Sequence, residues 1–360
     1  MQFQELLRGI EARNQFNMIG SALKQNNLAH MVSTGWAGTS AKLEAEATDP
    51  KKKAELVEVL TEIYLDNMLY SQKAVMLWAV KTDVADKIAE AMAGFVDPNS
   101  PYMNSYPASM PVEALREINA FGVPTGYHEK DGCHTLVFVS KREKVEEEAL
   151  PADEVPAEWL KAGFTQFFGK KKKVFQVFDS ITVIPAFGLI ELRIDQAKTL
   201  SEKDILQYKE GLCRRFNELV AEVVDEKRLL GQAINLEPAL VRLYQGKDWI
   251  VHNISHQNDG GYNNSNKGKF RTDDVRKDIY HAEGEAAVGA IQLWHVNAAF
   301  KSNFSAYSPM LILEGHSSML NSLEPFMDIG RVLDCATAKE YGQVFLALLS
   351  CLGLAGGAKA

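Results

Sequence analysis

Two carboxylates and an arginine on consecutive strand-like segments carry the sharpest chemistry in this chain. Asp179 lies in FQVFDSITVI and Glu191-x-Arg193 in LIELRID, joined by the tight turn Pro185-Ala186-Phe187-Gly188. An Asp on one strand with Glu-x-Lys on the next suits metal-dependent phosphodiester cleavage. Two carboxylates there hold Mg2+, which activates water and neutralises charge on the phosphoryl group. Here the third position is Arg193, which stays charged and is ill suited to assist proton transfer. Strand parity also opposes the idea. Glu191, Arg193 and Asp195 share one face of their strand, and Ile190, Leu192 and Ile194 share the other. Matching apolar to apolar across the hairpin puts Asp179 beside the isoleucines, away from Glu191. Only a bulge near the turn would bring the carboxylates together. A catalytic set of Asp179, Glu191 and Arg193 with Mg2+ is therefore an alternative, and an ion-pair row is the expectation.

Two cationic clusters point to a different chemistry. Lys170, Lys171, Lys172 and Lys173 are consecutive and follow Phe164, Phe167 and Phe168. Lys267, Lys269 and Arg271 interleave with Tyr262 and Phe270 in QNDGGYNNSNKGKFRTDD. Cations for phosphates and aromatics for bases suit a single strand or a bent duplex. The plainer account makes the lysine run a solubilising flank beside an apolar strand. Binding of nucleic acid through a local basic patch, without catalysis, is the leading expectation. An assembly or protein-interaction role, through the helical N-terminal part and the apolar stripe Val344, Phe345, Leu348 and Cys351, is the remaining alternative.

Other motifs fall away on geometry. His252 and His256 have helical spacing for one metal, but WIVHNIS reads as a strand, where four residues span about 13 Å. Ser317 in EGHSSM lacks the glycine of a nucleophile elbow, and no histidine follows it. No phosphate-binding glycine loop occurs at the required spacing. No metal is expected, and no cofactor beyond Mg2+ in the nuclease alternative.

The 360 residues carry a net charge of −8 with 46% hydrophobic side chains, which disfavours a protein coating nucleic acid over its whole surface. Four cysteines without CxxC pairs, no signal-type run and no apolar span of membrane length give the expectation of a cytoplasmic protein that does not enter a membrane.

Several elements must position these residues. The pattern gives helices through the first hundred residues, with Asp49 capping a helix that has Pro50 at its first position. A hairpin turns at Asp131-Gly132. The longest amphipathic helix opens at Ser201, and its Gly211 implies a close neighbour. The segment 143–156, rich in charge and proline, reads as a linker between a mainly helical domain at 1–142 and an α+β domain at 157–360. The fold class is α+β: a helical N-terminal part with a small hairpin, then a mixed or antiparallel sheet packed with helices.

Overall fold

Ten strands join into one sheet in which every neighbouring pair is antiparallel. They are β1 (Lys73–Ala79), β2 (Val123–Lys130), β3 (Cys133–Ala149), β4 (Phe168–Ile184), β5 (Leu189–Asp195), β6 (Trp249–Gln257), β7 (Asn263–Lys267), β8 (Gln292–Phe300), β9 (Met310–Glu314) and β10 (Gly330–Leu333). Their order across the sheet is β2-β3-β4-β5-β1-β10-β9-β8-β6-β7. This computed structural model describes residues 2–13, 16–161, 165–196, 200–226, 228–288, 291–302 and 307–355. Among them are eleven α-helices, so the fold is α+β with the sheet dominant. None of the helices is long and apolar enough to cross a membrane.

Helices cover both faces. On one face Phe3–Ala12, Phe16–Gln25 and Pro50–Tyr70 pack on Val137, Val139 and Phe178 of β3 and β4. Beyond them, Ala239–Gln245 and Ala338–Leu352 cover Val75, Leu77, Leu311, Leu313 and Val332. On the other face Thr82–Ala91 and Glu202–Val220 bury Met76, Trp78, Ile181, Ile190 and Leu192. Ile205, Leu212, Phe216 and Val220 of the long helix are fully buried, each worth about 1.5–3 kcal/mol relative to exposure.

Local signals positioned several elements as expected. Asp49 accepts from the Lys51 amide at 2.8 Å at the start of Pro50–Tyr70. Ser201 and Asp204 form a reciprocal capping box. Asp131 and Gly132 have φ of 52° and 70°, the left-handed pair that the β2–β3 turn requires. Phe121 lies over Gly211, 2.6 Å from where a Cβ would stand, so a larger residue would displace that ring.

Three segments differ from the pattern. Val75, Met76 and Trp78 continue an apolar run that reads as helix, yet they belong to β1 at the centre of the sheet. A strand buried on both faces has no alternation, so periodicity does not separate it from a buried helix. The segment 143–156 begins as strand: Glu143–Ala149 complete β3 and pair with Phe168–Val174 of β4. The 257–274 segment has no periodicity, is dominated by Gly and Asn in its first half and reads as a long loop, yet it contains β7, an edge strand paired to β6. The C-terminal stripe of Val344, Phe345, Leu348 and Cys351 packs inside the monomer rather than facing a partner.

Candidate functional site

The carboxylates of β4 and β5 are in place but not together. Ser180 pairs with Arg193 and Thr182 with Glu191, so Asp179 projects from the opposite face to Glu191. The sheet itself separates them, and the two-carboxylate Mg2+ arrangement expected of a nuclease is not assembled. Each is instead engaged in a buried ion pair. Arg142 grips Asp179 with distances of 2.8 and 2.7 Å, and the Asp195 amide donates to Asp179 at 2.9 Å. The Arg142 guanidinium stacks 3.9 Å from the Tyr208 ring centroid on the covering helix. On the other face Arg193 donates to Glu191 from Nε at 2.8 Å and lies between the rings of Tyr70 and Tyr341. Tyr341 donates to the same carboxylate. Burial disfavours the Arg193 cation, but Glu191, Tyr341 and Tyr70 together outweigh it and hold the guanidinium pKa above its ordinary value.

Asp195, on the face of Glu191, anchors the N-terminal helices to the sheet. It accepts two bonds of 3.1 Å from Arg13, one of 3.1 Å from the Phe178 amide, and lies 3.3 Å from Lys73 Nζ. Burial opposes its ionisation, yet Arg13 and Lys73 together hold the carboxyl well below the usual range. Burial also lowers the Lys73 pKa to about 8, with Asp195 opposing. Between that value and the ordinary lysine pKa the unfolded chain binds the extra proton, so this group makes stability rise with pH. In urea melts from pH 7.5 to 9.5, wild type should gain on Lys73→Met by up to about 1 kcal/mol per pH unit above pH 8. A constant difference would mean that Lys73 titrates as an exposed lysine.

The lysine run is partly neutralised, with Lys172 and Lys173 in ion pairs and Lys170 and Lys171 exposed. Lys170, Lys171, Lys172 and Lys173 face Glu147, Glu146, Val145 and Lys144 across the β3–β4 ribbon. Lys172 pairs with Glu143 at 2.6 Å, and Lys173 with Glu146 at 3.0 Å and with Glu148. Phe167 stacks on Trp159 with centroids 6.2 Å apart, Phe168 is exposed, and Phe164 lies outside the described residues. The acidic partner strand that partly neutralises this run is the same segment whose composition suggested a linker.

The second cluster stands at the far end of the sheet. From β4 to β7 is seven strand steps, about 34 Å at ordinary spacing, so the two clusters do not share a surface. Arg271 is committed to Asp334 and lies over Tyr307. Lys267 and Lys269 are exposed, and three further exposed lysines join them, two of them distant in sequence. Lys247 and Lys301 flank the cross-strand pair Trp249/Phe300 of β6 and β8, and Lys277 follows the 268–274 turn. Two adjoining grooves, of about 560 and 410 Å3, share Thr272, Asp274 and Lys277 as walls. Lys267, Lys269 and Lys277 line the first groove, and Lys247, Lys277 and Lys301 the second. Among the described residues none of these five lysines has an ion-pair partner. Four acids line the same grooves: Asp274 binds Arg276 at 2.6 Å, Asp273 accepts from the Phe270 amide at 2.8 Å, Asp278 accepts from the His281 amide at 3.0 Å, and Asp248 is exposed. Lys269 lies 5.2 Å over the exposed Phe270 ring.

Next to the first groove a cleft of about 970 Å3 opens between β7 and the helix Ile279–Val288. Tyr244 joins His281, at 3.0 Å, to Glu285, to which it donates at 2.8 Å. His256 stands beside them, its ring centroid 5.9 Å from that of His281. Among the described residues no three His, Cys, Asp or Glu side chains converge as metal ligands. Lys247, Lys277, Lys301 and this histidine group form no motif in the chain; only the pairing of β6 with β8 and β7 brings them together. No protein-family model matches this sequence, and no curated protein matches it significantly.

Proposed function

We propose that this protein binds single-stranded nucleic acid, without cleaving it, on the lysine grooves at the β6–β7 end of the sheet. The observation that carries the reading is the five exposed, unpaired lysines along two adjoining grooves, on a chain whose overall charge is −8. A uniformly acidic surface would repel a phosphodiester backbone, whereas exposed ammonium groups free of ion pairs attract it and release its counterions, even with Asp248, Asp273, Asp274 and Asp278 in the same walls. Exposed Phe270, under Lys269, and exposed Tyr262 at the far end of β7 offer faces on which bases stack. The four free cysteines fit a reducing compartment, which we read as the cytoplasm.

The test is fluorescence anisotropy with labelled single-stranded oligonucleotides over a salt series. Replacing Lys267 and Lys277 by alanine should weaken binding at least roughly tenfold at low salt and reduce the log–log salt slope by about 1.4, two phosphate contacts' worth. Replacing Lys172 and Lys173 should change neither by much, since Glu143, Glu146 and Glu148 already neutralise them. Absence of binding by the intact protein at low salt, or equal sensitivity of the two pairs, would remove the reading.

A further inference from the structure

The cleft between β7 and the helix Ile279–Val288 has a polar interior that the ion-pair architecture of the fold does not use. His256 lines it and is buried, yet its Nδ1 has no hydrogen-bond partner. Nδ1 is sealed from solvent, so the imidazole borders the cleft by another part of its ring. Burial, and then the neighbouring His281, lower the His256 pKa, so the ring is neutral at physiological pH. Among the described residues Glu285 uses only Oε2 toward protein, where Tyr244 donates, and Oε1 remains an open acceptor.

The cleft and the first lysine groove share Asn266 and Asp278 as walls, so a chain lying in one reaches the other without a gap. Asn266 on this shared wall is half-buried, with an amide able both to donate and to accept. At the rim Tyr280 is 86% exposed, an aromatic face with no packing role in the fold. A neutral imidazole, an amide, an open carboxylate oxygen and a free aromatic face are the groups that read a base edge and stack on its plane. The lysines supply the complementary half, since phosphate contacts position a strand and base contacts specify it.

We propose that this cleft is a nucleobase site: it takes one unstacked base of the bound strand, and it selects a base with an exocyclic amino group. The carboxylate sets the selection. Glu285 accepts from the amino hydrogens of cytosine or adenine, whereas thymine turns a carbonyl oxygen toward it at the corresponding position. The proposal rests on the binding reading above, and the experiment separates the two.

Anisotropy titrations with labelled dT12, dC12 and dA12 at one salt concentration give the ratio of affinities. Wild type should prefer at least one amino-bearing oligomer over dT12 by about tenfold, the discrimination a good base contact provides. Glu285→Gln presents an amide that serves either edge, and the ratio should fall toward one. Asn266→Ala, on the half-buried wall, should reduce the ratio as well and guards against a folding defect in the first variant. Lys267→Ala should weaken all three oligomers and leave the ratio intact. Tight, lysine-dependent binding with equal affinities for the three oligomers would overturn the base site and leave the binding reading standing. A preference unchanged in both Glu285→Gln and Asn266→Ala would also overturn it. Failure of every oligomer to bind removes both.

Discussion

Replacing Asp195 by alanine is expected to destabilise the fold by about 3–5 kcal/mol, the usual penalty for removing one partner of a buried ion pair. The variant leaves the Arg13 guanidinium and the Lys73 ammonium buried together with no carboxylate between them. Arg13 keeps Asn67 at 2.7 Å, but Lys73 is left with the Phe178 carbonyl at 3.3 Å and a like charge beside it. The Phe178 amide also loses its acceptor. Removing Lys73 as well, in Asp195→Asn with Lys73→Met, should recover part of the loss, since the amide still accepts from Arg13 and one buried cation is gone. Urea unfolding followed by circular dichroism measures both variants. A loss under about 1 kcal/mol would class the cluster with solvated surface pairs.

Arg193→Ala should be nearly as damaging, at about 3–5 kcal/mol, because it leaves Glu191 buried and charged beneath Tyr341. The double change Glu191→Leu with Arg193→Met should be milder than Arg193→Ala alone, since apolar groups of similar volume avoid the desolvation that both charges incur. This non-additivity is the signature of a pair that exists to satisfy itself. A group poised for catalysis would show near-normal stability in Arg193→Ala, as a residue with a solvent-facing role does. Thermal or urea melts of the three proteins decide between these outcomes.

The hairpin parity was legible because its two strands are amphipathic in the ordinary way: isoleucines alternate with charges, and the register follows. The burial of those charges was not legible. Nothing in LIELRID indicates that Arg13, the Tyr70–Lys73 stretch and Tyr341 arrive from three separate segments to enclose them. β1 was missed for the opposite reason, since KAVMLWA is apolar on both faces and has lost the alternation that marks a strand. The lysine run was hard to weigh because a row of cations carries no information about what lies opposite. Its neutralising acids stand some 25 residues earlier in the chain, across the register of Lys170 with Glu147. The grooves were half visible through Lys267 and Lys269. Lys247 and Lys301 joined them only once Trp249 was paired with Phe300.

The place of β1 in the strand order has a consequence for biosynthesis. Its two neighbours are β5 and β10, so one long edge of this apolar strand waits for Gly330–Leu333 to be made. That segment follows β1 by about 250 residues, roughly 10–50 s at ordinary translation rates. During this interval the β2-β3-β4-β5-β1 half can pair within itself, leaving the backbone of Val75 and its neighbours as an open template for another nascent chain. Productive yield in a cell therefore depends on how well the N-terminal helices and Glu202–Val220 shield that edge until the C-terminal half arrives.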